Sequence, residues 1–455
     1  MKSTVAYDEF LSRKEKYGDK SGFDPVFMPD WMFDFQQFLT TWNIRKGRSA
    51  VFADCGMGKT PMQLVWAQNV VQYTNRPVLI LTPLAVAKQT VNEAAKFGID
   101  AKRSGGEEVD SKIVVTNYER LHNFNPRDFA GVVCDESSSI KAMNGKRRDE
   151  VTEFLRMMPF RLLATATAAP NDYIELGTAS EALGEMGQRD MITMFFKQET
   201  SKDYLGWGRT KYRMKGHAEQ AFWKWVCSWA RACRKPSDLG FSDERFLLPP
   251  LVETEFVVRS QKKRPGFLFD LPARDMHEER EERRRTINER CEKVAELVAD
   301  KSRPAVVWCH LNDEGDLLAR MIPDGAQVKG SEPIESKEEK YEAFASGQLS
   351  KLIIKPKIGA WGLNWQHCSH VVTFASHSYE QYYQAVRRCW RFGQTKQVDV
   401  NFVVTEGEQR ISANLERKTK SADRMFTALV ANMNEAMSVS GPNNYNSTPE
   451  VPSWL

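Results

Sequence analysis

The residues best suited to chemistry follow a short apolar stretch near residue 50. After a predicted strand, Ser49–Ala53, the chain reads DCGMGKT up to Thr60, and a helix is predicted from Pro61 to Tyr73. Glycines in such a turn let backbone N–H groups face an anion, and the helix N-terminus adds a favourable dipole. The pattern is that of a P-loop, with Ala53 in place of the first glycine, although a plain glycine turn is the alternative. The predicted nucleotide-binding residues are Gly56, Met57, Gly58, Lys59 and Thr60, with Lys59 on the β- and γ-phosphates and Thr60 on Mg²⁺.

A pair of carboxylates follows a second apolar stretch. Ala130–Cys134 reads AGVVC and runs directly into Asp135 and Glu136. An aspartate at the end of such a strand is placed to hold Mg²⁺ beside bound phosphates. The neighbouring glutamate is then the candidate base that orients the attacking water. We therefore predict Asp135 as a metal ligand and Glu136 as a catalytic residue, with a chance surface pair as the alternative.

Two further segments carry polar groups that could act on the same site. The stretch 161–171 reads RLLATATAAPN, and Thr165 and Thr167 could couple the Mg²⁺ site to a bound strand, or simply end a strand. The stretch 379–394 reads YEQYYQAVRRCWRFGQ. On a helix, residues at i, i+3, i+4 and i+7 share one face, which predicts a single face formed by Gln384, Arg387, Arg388 and Arg391.

Arginines supplied by a second domain suit the charge that develops on a γ-phosphate. We predict Arg388 and Arg391 as catalytic arginine fingers and Gln384 as a nucleotide-binding residue. Because the arginines lie far along the chain from Lys59, their site would be complete only when two domains close. Hydrolysis is therefore expected to depend on that closure.

The elements that must position these residues alternate between strand and helix. In the first half strands are predicted at Pro77–Thr82 and Lys112–Thr116, and in the second half at 304–309, Leu352–Ile354 and Val371–Phe374. Strands that alternate with helices predict a parallel sheet whose ligand site lies at the carboxyl ends of the strands. The fold class is α/β.

Composition limits the remaining possibilities. The chain has 455 residues, enough for two or three domains, and a net charge of only +4. Its eight cysteines include no CxxC pair, which argues against a zinc site or a disulfide framework and favours the reducing cytoplasm. The expected setting is a bacterial or phage-infected cell. No apolar run reaches the length of about 18 residues that a membrane span needs, so no membrane association is expected.

Two charged segments stand out. Residues 197–216 hold six basic and two acidic residues with aromatic residues between them, which predicts nucleic-acid contacts at Arg209, Lys211 and Arg213. Trp223, Trp225 and Trp229 follow at helical spacing, and we favour a core role for Trp225 and Trp229. Residues 276–303 are rich in Glu and Arg, which predicts a solvated helix with ion pairs along its surface.

In order, these segments resemble the motifs of a superfamily-two helicase, and within it the Swi/Snf-like group of duplex DNA translocases. The match runs from about residue 33 to 405. Three departures are Ser138 for a histidine, Ala168 for a proline and Arg387 for a glycine, all in motifs that couple hydrolysis to movement. The matching segments are Phe35-Gln36, Ala53–Thr60, LTPLAVAKQ (Leu81–Gln89), VVTNYERL (Val114–Leu121), DESSSIK (Asp135–Lys141), ATATAAPN (Ala164–Asn171), GAWGLNW (Gly359–Trp365) and QAVRRCWRFGQTKQV (Gln384–Val398).

The resemblance implies two tandem RecA-like domains, each a parallel sheet flanked by helices, with ATP and Mg²⁺ in the cleft between them. It implies that Gln36 reads adenine and that Gly362 joins Thr165 and Thr167 in coupling. It also implies DNA-backbone contacts at Thr82, Pro83, Thr116, Asn117 and Asn364. The expected boundaries are 1–32 for an N-terminal extension, 33–196 for the ATP-binding domain, 197–258 for an aromatic and basic linker or insertion, 259–437 for the C-terminal domain, and 438–455 for a disordered tail.

The function expected from the sequence is that of an ATP-dependent DNA translocase or helicase, a DNA-dependent ATPase whose domains close on DNA. The expected partner is double-stranded or branched DNA, and the expected state is a monomer. A strand-separating or branch-migrating helicase of replication or recombination is one alternative. An ATP-timed DNA clamp that serves a partner nuclease is the alternative from another class.

Overall fold

The protein is described by a computed structural model over residues 21–84, 86–142, 145–169, 172–202, 208–259, 276–359, 363–376 and 378–439. Two parallel sheets dominate these residues, a seven-stranded sheet from the first half of the chain and a six-stranded sheet from the second. Helices cover the faces of both sheets, and the central strands of each sheet are buried. The predicted α/β fold with two tandem RecA-like units is confirmed.

The first sheet brings the ends of its central strands together at one edge. Its strand order is β3-β4-β2-β5-β6-β1-β9, and each neighbouring pair is parallel. Since parallel strands end at the same edge, the P-loop after β1 lies near the acidic pair after β5. The strands are β1 (Arg48–Ala53), β2 (Val78–Thr82), β3 (Lys102–Arg103), β4 (Ile113–Asn117), β5 (Gly131–Asp135), β6 (Phe160–Thr165) and β9 (Ala230–Cys233).

The helices of the first half pack in two layers, one on each face of the sheet. One apolar core includes Trp66 of the helix that follows the P-loop, and the other includes Trp229 and Phe52 on the opposite face. The helices are α1 (Asp34–Lys46), α2 (Lys59–Thr74), α3 (Ala87–Lys96), α4 (Ser139–Ala142), α5 (Gly145–Arg156), α6 (Leu176–Leu183), α7 (Gln188–Phe195) and α8 (Glu219–Trp229).

The second sheet has the order β10-β15-β14-β11-β13-β12 and is also parallel throughout. Its strands are β10 (Leu251–Val258), β11 (Ala305–Trp308), β12 (Gly325–Val328), β13 (Lys351–Ile354), β14 (His370–Phe374) and β15 (Val398–Thr405). Its helices are α9 (Met276–Arg285), α10 (Ile287–Leu297), α11 (Asn312–Met321), α12 (Ile334–Ala345), α13 (Pro356–Gly359), α14 (Tyr379–Val386) and α15 (Gln409–Val439).

Two segments lie elsewhere than the predicted boundaries imply. Strand β9, inside the predicted linker 197–258, pairs with β1, and α8 buries Trp223 and Trp229 against the first sheet. Helix α15, in the predicted C-terminal domain, packs Met425, Phe426 and Leu429 into the same core. Both parts of the chain therefore belong structurally to the first sheet, because their apolar faces have their packing partners there.

The remaining strands, β7 (Phe196–Lys202) and β8 (Gly208–Met214), form a separate antiparallel pair.

Among the helices of the described residues, none combines the length and the apolar character that crossing a membrane requires.

A fully buried ion pair joins two helices of the second unit. Arg290 in α10 and Glu314 in α11 are both 0% exposed, and their charged groups lie 2.8 Å apart. Glu314 also accepts hydrogen bonds from the backbone of His310 and Leu311 at the start of α11. The Arg290 guanidinium lies 4.7 Å above the ring of Phe374 at the end of β14. The predicted solvated helix over 276–303 is therefore wrong in two respects, since two helices form and part of the charge is inside the core.

We expect Arg290→Ala to destabilise the second unit strongly, because Glu314 would remain charged and buried without its partner. A broken buried pair costs about 3 to 5 kcal/mol. The check is urea-induced unfolding followed by far-UV circular dichroism. The matched control is Lys293→Ala on the same helix, which breaks a solvent-exposed pair with Glu296 and should cost at most about 1 kcal/mol. Equal losses for the two variants would contradict the analysis.

Candidate nucleotide site between the two sheets

The turn after β1 has the backbone conformation that phosphate binding needs. Gly56 and Gly58 adopt φ angles of +89° and +76°, in the region that favours glycine. Close contacts also exclude side chains here, because a Cβ atom at Gly58 would lie 2.2 Å from Nε2 of Gln36. Lys59 and Thr60 open helix α2, and the ammonium of Lys59 donates to the carbonyl of Ala53 at 2.9 Å. The predicted cradle is thus formed, with Met57 buried beneath it.

Gln36 ties the upstream segment to this turn. Its Nε2 donates to the carbonyl of Met57 at 3.0 Å, and its Oε1 accepts from the backbone N–H of Phe33 at 3.2 Å. The side chain is buried and lies along the wall of the same cleft. The structure therefore brings Gln36 to the P-loop from a position 20 residues upstream, as the motif order implies.

The acidic pair lies at the end of β5 opposite the P-loop helix. Oδ1 of Asp135 accepts a hydrogen bond from Gln63 of α2 at 2.7 Å. Burial, together with the adjacent charge of Glu136, raises the pKa of Asp135 to about 6. Glu136 adopts a φ of +48°, which is uncommon for a residue with a side chain and marks local backbone strain. Two buried carboxylates side by side, with their charge opposed by desolvation, form an environment that a divalent cation would stabilise.

The two predicted coupling threonines lie directly beyond this pair. Thr165 Oγ1 lies 3.4 Å from a carboxylate oxygen of Glu136. Thr167 Oγ1 contacts Ser138 Oγ at 3.4 Å and donates to Glu380, at the start of α14, at 3.2 Å. Thr167 therefore touches both units, and Ser138, which replaces the usual histidine, keeps a polar contact with it. Gly362 lies outside the described residues.

A buried ion pair crosses the cleft. Arg387, which follows α14, pairs with Asp54 of the P-loop, and Arg387 also donates to the carbonyl of Cys55 at 3.1 Å. The hydroxyl of Tyr383 donates to the same Asp54 carboxylate. Burial disfavours the charged guanidinium of Arg387, but the Asp54 carboxylate raises its pKa above the ordinary arginine value. The contact fixes the second unit directly against the phosphate-binding turn.

The two predicted arginine fingers line the same cleft. Arg388 is buried and donates from Nε to the carbonyl of Gln384 at 2.9 Å, with its terminal nitrogens on Leu363 and on the Gln384 side chain. Arg391 contacts the side chain of Asn364, while its buried Nε has no partner among the described residues. Burial and the neighbouring charge of Arg388 lower the pKa of Arg391 to about 10. A half-buried cation whose Nε is an unused donor is suited to an anion.

The helix that was predicted to present these arginines is shorter than expected. Helix α14 ends at Val386, and Arg387–Arg391 continue in tight turns. The three arginines therefore do not share one helical face: Arg387 pairs with Asp54, while Arg388 and Arg391 both donate to the carbonyl of Leu363. The helix ends here because of two side-chain contacts. Arg388 donates a hydrogen bond to the carbonyl of Gln384, and Arg387 forms an ion pair with Asp54 of the other unit. Gln384 lies in the helix, and its Nε2 is 3.5 Å from Glu136.

An aromatic wall closes one end of the cleft. The rings of Phe33 and Phe246 lie 5.0 Å apart, and Phe392 of the second unit lies 4.9 Å from Phe246. The backbone nitrogen of Phe392 is so near Gly56 that a Cβ there would lie 2.8 Å from it. The cavity bounded by this wall, the P-loop, Asp135, Glu136 and the two arginines measures about 340 Å³. It offers an apolar end for a ring and a charged end for phosphates.

The predicted nucleic-acid contacts separate into groups. Thr82 and Asn117 end two neighbouring strands, and the register pairs them with each other. Oγ1 of Thr116 and Oδ1 of Asn117 are buried without a hydrogen-bond partner among the described residues, and Pro83 follows at the same edge. Asn364 lines the nucleotide cavity beside Arg391, and its predicted contact with DNA stays a prediction. Arg213 lies exposed on β8, and Arg209 and Lys211 share that strand, although their side chains lie outside the described part of the structure.

The structure also shows residues that the motifs did not single out. Asp54 and Tyr383 form the cross-cleft contact, Gln63 orients Asp135, and Phe246 and Phe392 build the aromatic wall. The signal in the sequence for the Asp54 contact was indirect, because Arg387 stood where a glycine was expected. A buried arginine needs a partner of opposite charge, and that partner is Asp54.

Comparison with known proteins supports the same reading. Residues 289–393 match the family described as helicase conserved C-terminal domain. The solved structure of S. cerevisiae Dbp5 bound to RNA and ADP BeF3 superposes with a TM-score of 0.56 and 13% sequence identity, covering 88% of this chain and 93% of that one. The Dbp5 structure therefore has the same fold as this chain, and residues 289–393 match the helicase C-terminal family. The chain also aligns with the Sulfolobus solfataricus SWI2/SNF2 ATPase core in complex with dsDNA, at a TM-score of 0.41 and 14% identity over 92% of this chain and 97% of that one. No curated protein matches the chain in sequence.

We expect Asp54→Ala to open the cleft between the two units, because Arg387 would be left there as an unpaired charge. Small-angle X-ray scattering without ligands should show a larger radius of gyration than that of the wild-type protein. The matched control is Glu406→Ala, which removes an exposed ion pair with Arg259 and should leave the radius unchanged. An unchanged radius for Asp54→Ala would show that the ion pair does not hold the units together.

Proposed function

We propose that the protein is an ATP-dependent nucleic-acid motor, a DNA translocase or helicase that hydrolyses ATP when its two units close. One observation carries the proposal. The P-loop with Asp135 and Glu136 on one unit, and Arg388 and Arg391 on the other, line a single cavity. Neither unit holds all of these groups, so a nucleotide in the cavity would contact both and link hydrolysis to their relative position.

Each residue then has a defined task. Bound ATP·Mg²⁺ would supply the phosphoanhydride bond and the cation that neutralises phosphate charge. Lys59 exchanges its present carbonyl partners for phosphate oxygens, while Thr60 and Asp135 offer oxygen ligands to the metal. Glu136 orients the attacking water and accepts its proton. Arg388 and Arg391 stabilise the negative charge that grows on the transferred group.

The ring end of the nucleotide is assigned to the aromatic wall. Phe33, Phe246 and Phe392 offer ring faces and edges for stacking, and Gln36 presents a side chain already ordered by two hydrogen bonds. Phe392 comes from the second unit, so stacking on it would favour closure. Adenine recognition by Gln36 remains an assignment from the motif.

The route from hydrolysis to movement is proposed to pass through Thr167. It contacts Ser138 beside the acidic pair and Glu380 on the second unit. Loss of the γ-phosphate near the acidic pair would therefore alter a contact between the two units. Thr82, Thr116 and Asn117 at the adjacent strand ends are proposed, on the resemblance of their segments to helicase motifs, to lie beside the nucleic-acid backbone. Backbone contacts make such a motor largely independent of base sequence.

DNA is proposed as the substrate on the resemblance of the GLNW and RFGQTK segments to the Swi/Snf-like group. The expected partner is double-stranded or branched DNA, with the protein acting as a monomer. A clamp that times DNA binding for a partner nuclease is the second candidate function. The observation that favours it is the buried Asp54–Arg387 pair, which joins the two units directly through protein side chains.

We expect Glu136→Gln to retain ATP binding and to lose DNA-stimulated hydrolysis, since the amide keeps the shape of the side chain but cannot accept the proton. The rate should fall by about 100-fold or more, in line with the contribution of a general base. Steady-state phosphate release and equilibrium binding of a fluorescent ATP analogue are the measurements. Lys59→Ala should lose both binding and hydrolysis, while the exposed control Glu292→Gln should resemble wild type. Full DNA-stimulated activity in Glu136→Gln or Lys59→Ala would refute the proposed function.

A further inference from the structure

The antiparallel pair β7–β8 stands apart from both parallel sheets. Its strands pair in register with each other over Phe196–Lys202 and Gly208–Met214, and with no other strand in the described ranges. The base of the ribbon is anchored, because Phe195 and Phe196 are buried against α8. Lys215 at the same base donates to the carbonyls of Thr193 and Met194 at 2.8 and 3.1 Å. The ribbon is therefore a built element with a fixed root.

The register collects basic residues on one face of this ribbon. In an antiparallel pair, directly opposed residues share a face, and so do alternate residues along each strand. The pairs Lys197–Arg213, Glu199–Lys211 and Ser201–Arg209 therefore occupy one face. That face carries four cationic positions and one acidic position. The other face, with the pairs Gln198–Tyr212, Thr200–Thr210 and Lys202–Gly208, carries a single cation.

At the root of the ribbon the cations of this face are open to solvent. Lys197 and Arg213 are 53% and 72% exposed, and both approach Glu199, at 3.1 and 3.8 Å. One glutamate shared between two cations neutralises at most part of their charge. The whole chain has a net charge of only +4, so a face with a surplus of three positive positions is a strong local departure. Exposed ion pairs contribute little to stability, and the folded ribbon does not require this concentration of charge.

We propose that the basic face of the β7–β8 ribbon binds B-form duplex DNA by lying in its major groove. The inference rests on the proposed function and specifies the substrate class. Strands in a pair lie about 4.8 Å apart, and seven residues extend about 23 Å. A two-stranded ribbon fits the B-DNA major groove, which is about 12 Å wide, where its cations reach phosphates on the groove walls. The major groove of A-form RNA is deep and narrow and excludes such an element. The ribbon thus selects duplex DNA over duplex RNA.

The test compares Arg209→Ala/Arg213→Ala with the control Lys301→Ala/Lys357→Ala, which removes two exposed cations from the second unit. Fluorescence anisotropy, without nucleotide, measures binding of a 20-base-pair DNA duplex, the RNA duplex of the same sequence and the single DNA strand. For the ribbon variant we expect duplex-DNA affinity to fall about tenfold or more. The slope of log affinity against log salt should lose about 1.8, the value for two phosphate contacts. The RNA duplex should bind wild type more weakly than the DNA duplex does and lose little in the variant.

A second variant separates charge from folding. Arg209→Lys/Arg213→Lys keeps both cations and should retain duplex-DNA affinity within about threefold. The ribbon proposal is overturned if the alanine variant binds duplex DNA like wild type, if the control loses as much, or if the RNA duplex or the single strand loses as much as duplex DNA. If ATP hydrolysis by the same proteins is still stimulated by nucleic acid, the ribbon proposal alone fails and the proposed motor function is retained. If wild-type hydrolysis responds to no nucleic acid, the proposed function fails while a duplex-binding ribbon can still be read from the anisotropy.

Discussion

The arrangement of this protein depends on one buried ion pair, the contact between Asp54 of the P-loop and Arg387 of the second unit. Two charges removed from water must find each other, since either one left alone would carry an uncompensated cost of about 3 to 5 kcal/mol. Tyr383 shares the Asp54 carboxylate and narrows the geometry further. The pair therefore sets where the second unit docks, and the neighbouring Arg388, Arg391 and Phe392 are carried over the phosphate-binding turn with it.

This docking makes the cleft a composite site. On the first unit, burial and the charge of Glu136 disfavour the ionised form of Asp135, and Lys59 donates to the carbonyl of Ala53. On the second unit, the buried Nε of Arg391 has no partner among the described residues. Besides the Asp54–Arg387 pair, the cleft therefore offers carboxylates to a cation and basic side chains from both units to an anion. Thr167 and Glu380 extend the same contact surface away from the cavity.

How far the sequence could predict this structure depended on whether a feature was local. The P-loop and the acidic pair each follow a single strand, so spacing and residue type were enough to place Lys59, Thr60, Asp135 and Glu136. The arginines were assigned to the right cleft but to the wrong local structure, because helix periodicity cannot show that Arg387 will be drawn to Asp54. The alternation of Glu and Arg in 276–303 also concealed the buried Arg290, whose partner in α11 is distant in sequence. The packing of strand β9 and helix α15 onto the first unit could not be read from the sequence either, since their packing partners lie far along the chain.

The central claim is that hydrolysis needs arginines from the second unit over a nucleotide held by the first. The direct measurement is single-turnover hydrolysis of ATP in the presence of duplex DNA by Arg391→Ala, with nucleotide affinity measured on the same protein and Arg417→Ala as an exposed control. The account predicts that Arg391→Ala binds ATP within a few-fold of wild type and hydrolyses it at least about 100-fold more slowly, since arginine fingers contribute about 10³ to 10⁵ in rate. Hydrolysis at the wild-type rate in Arg391→Ala would contradict the account.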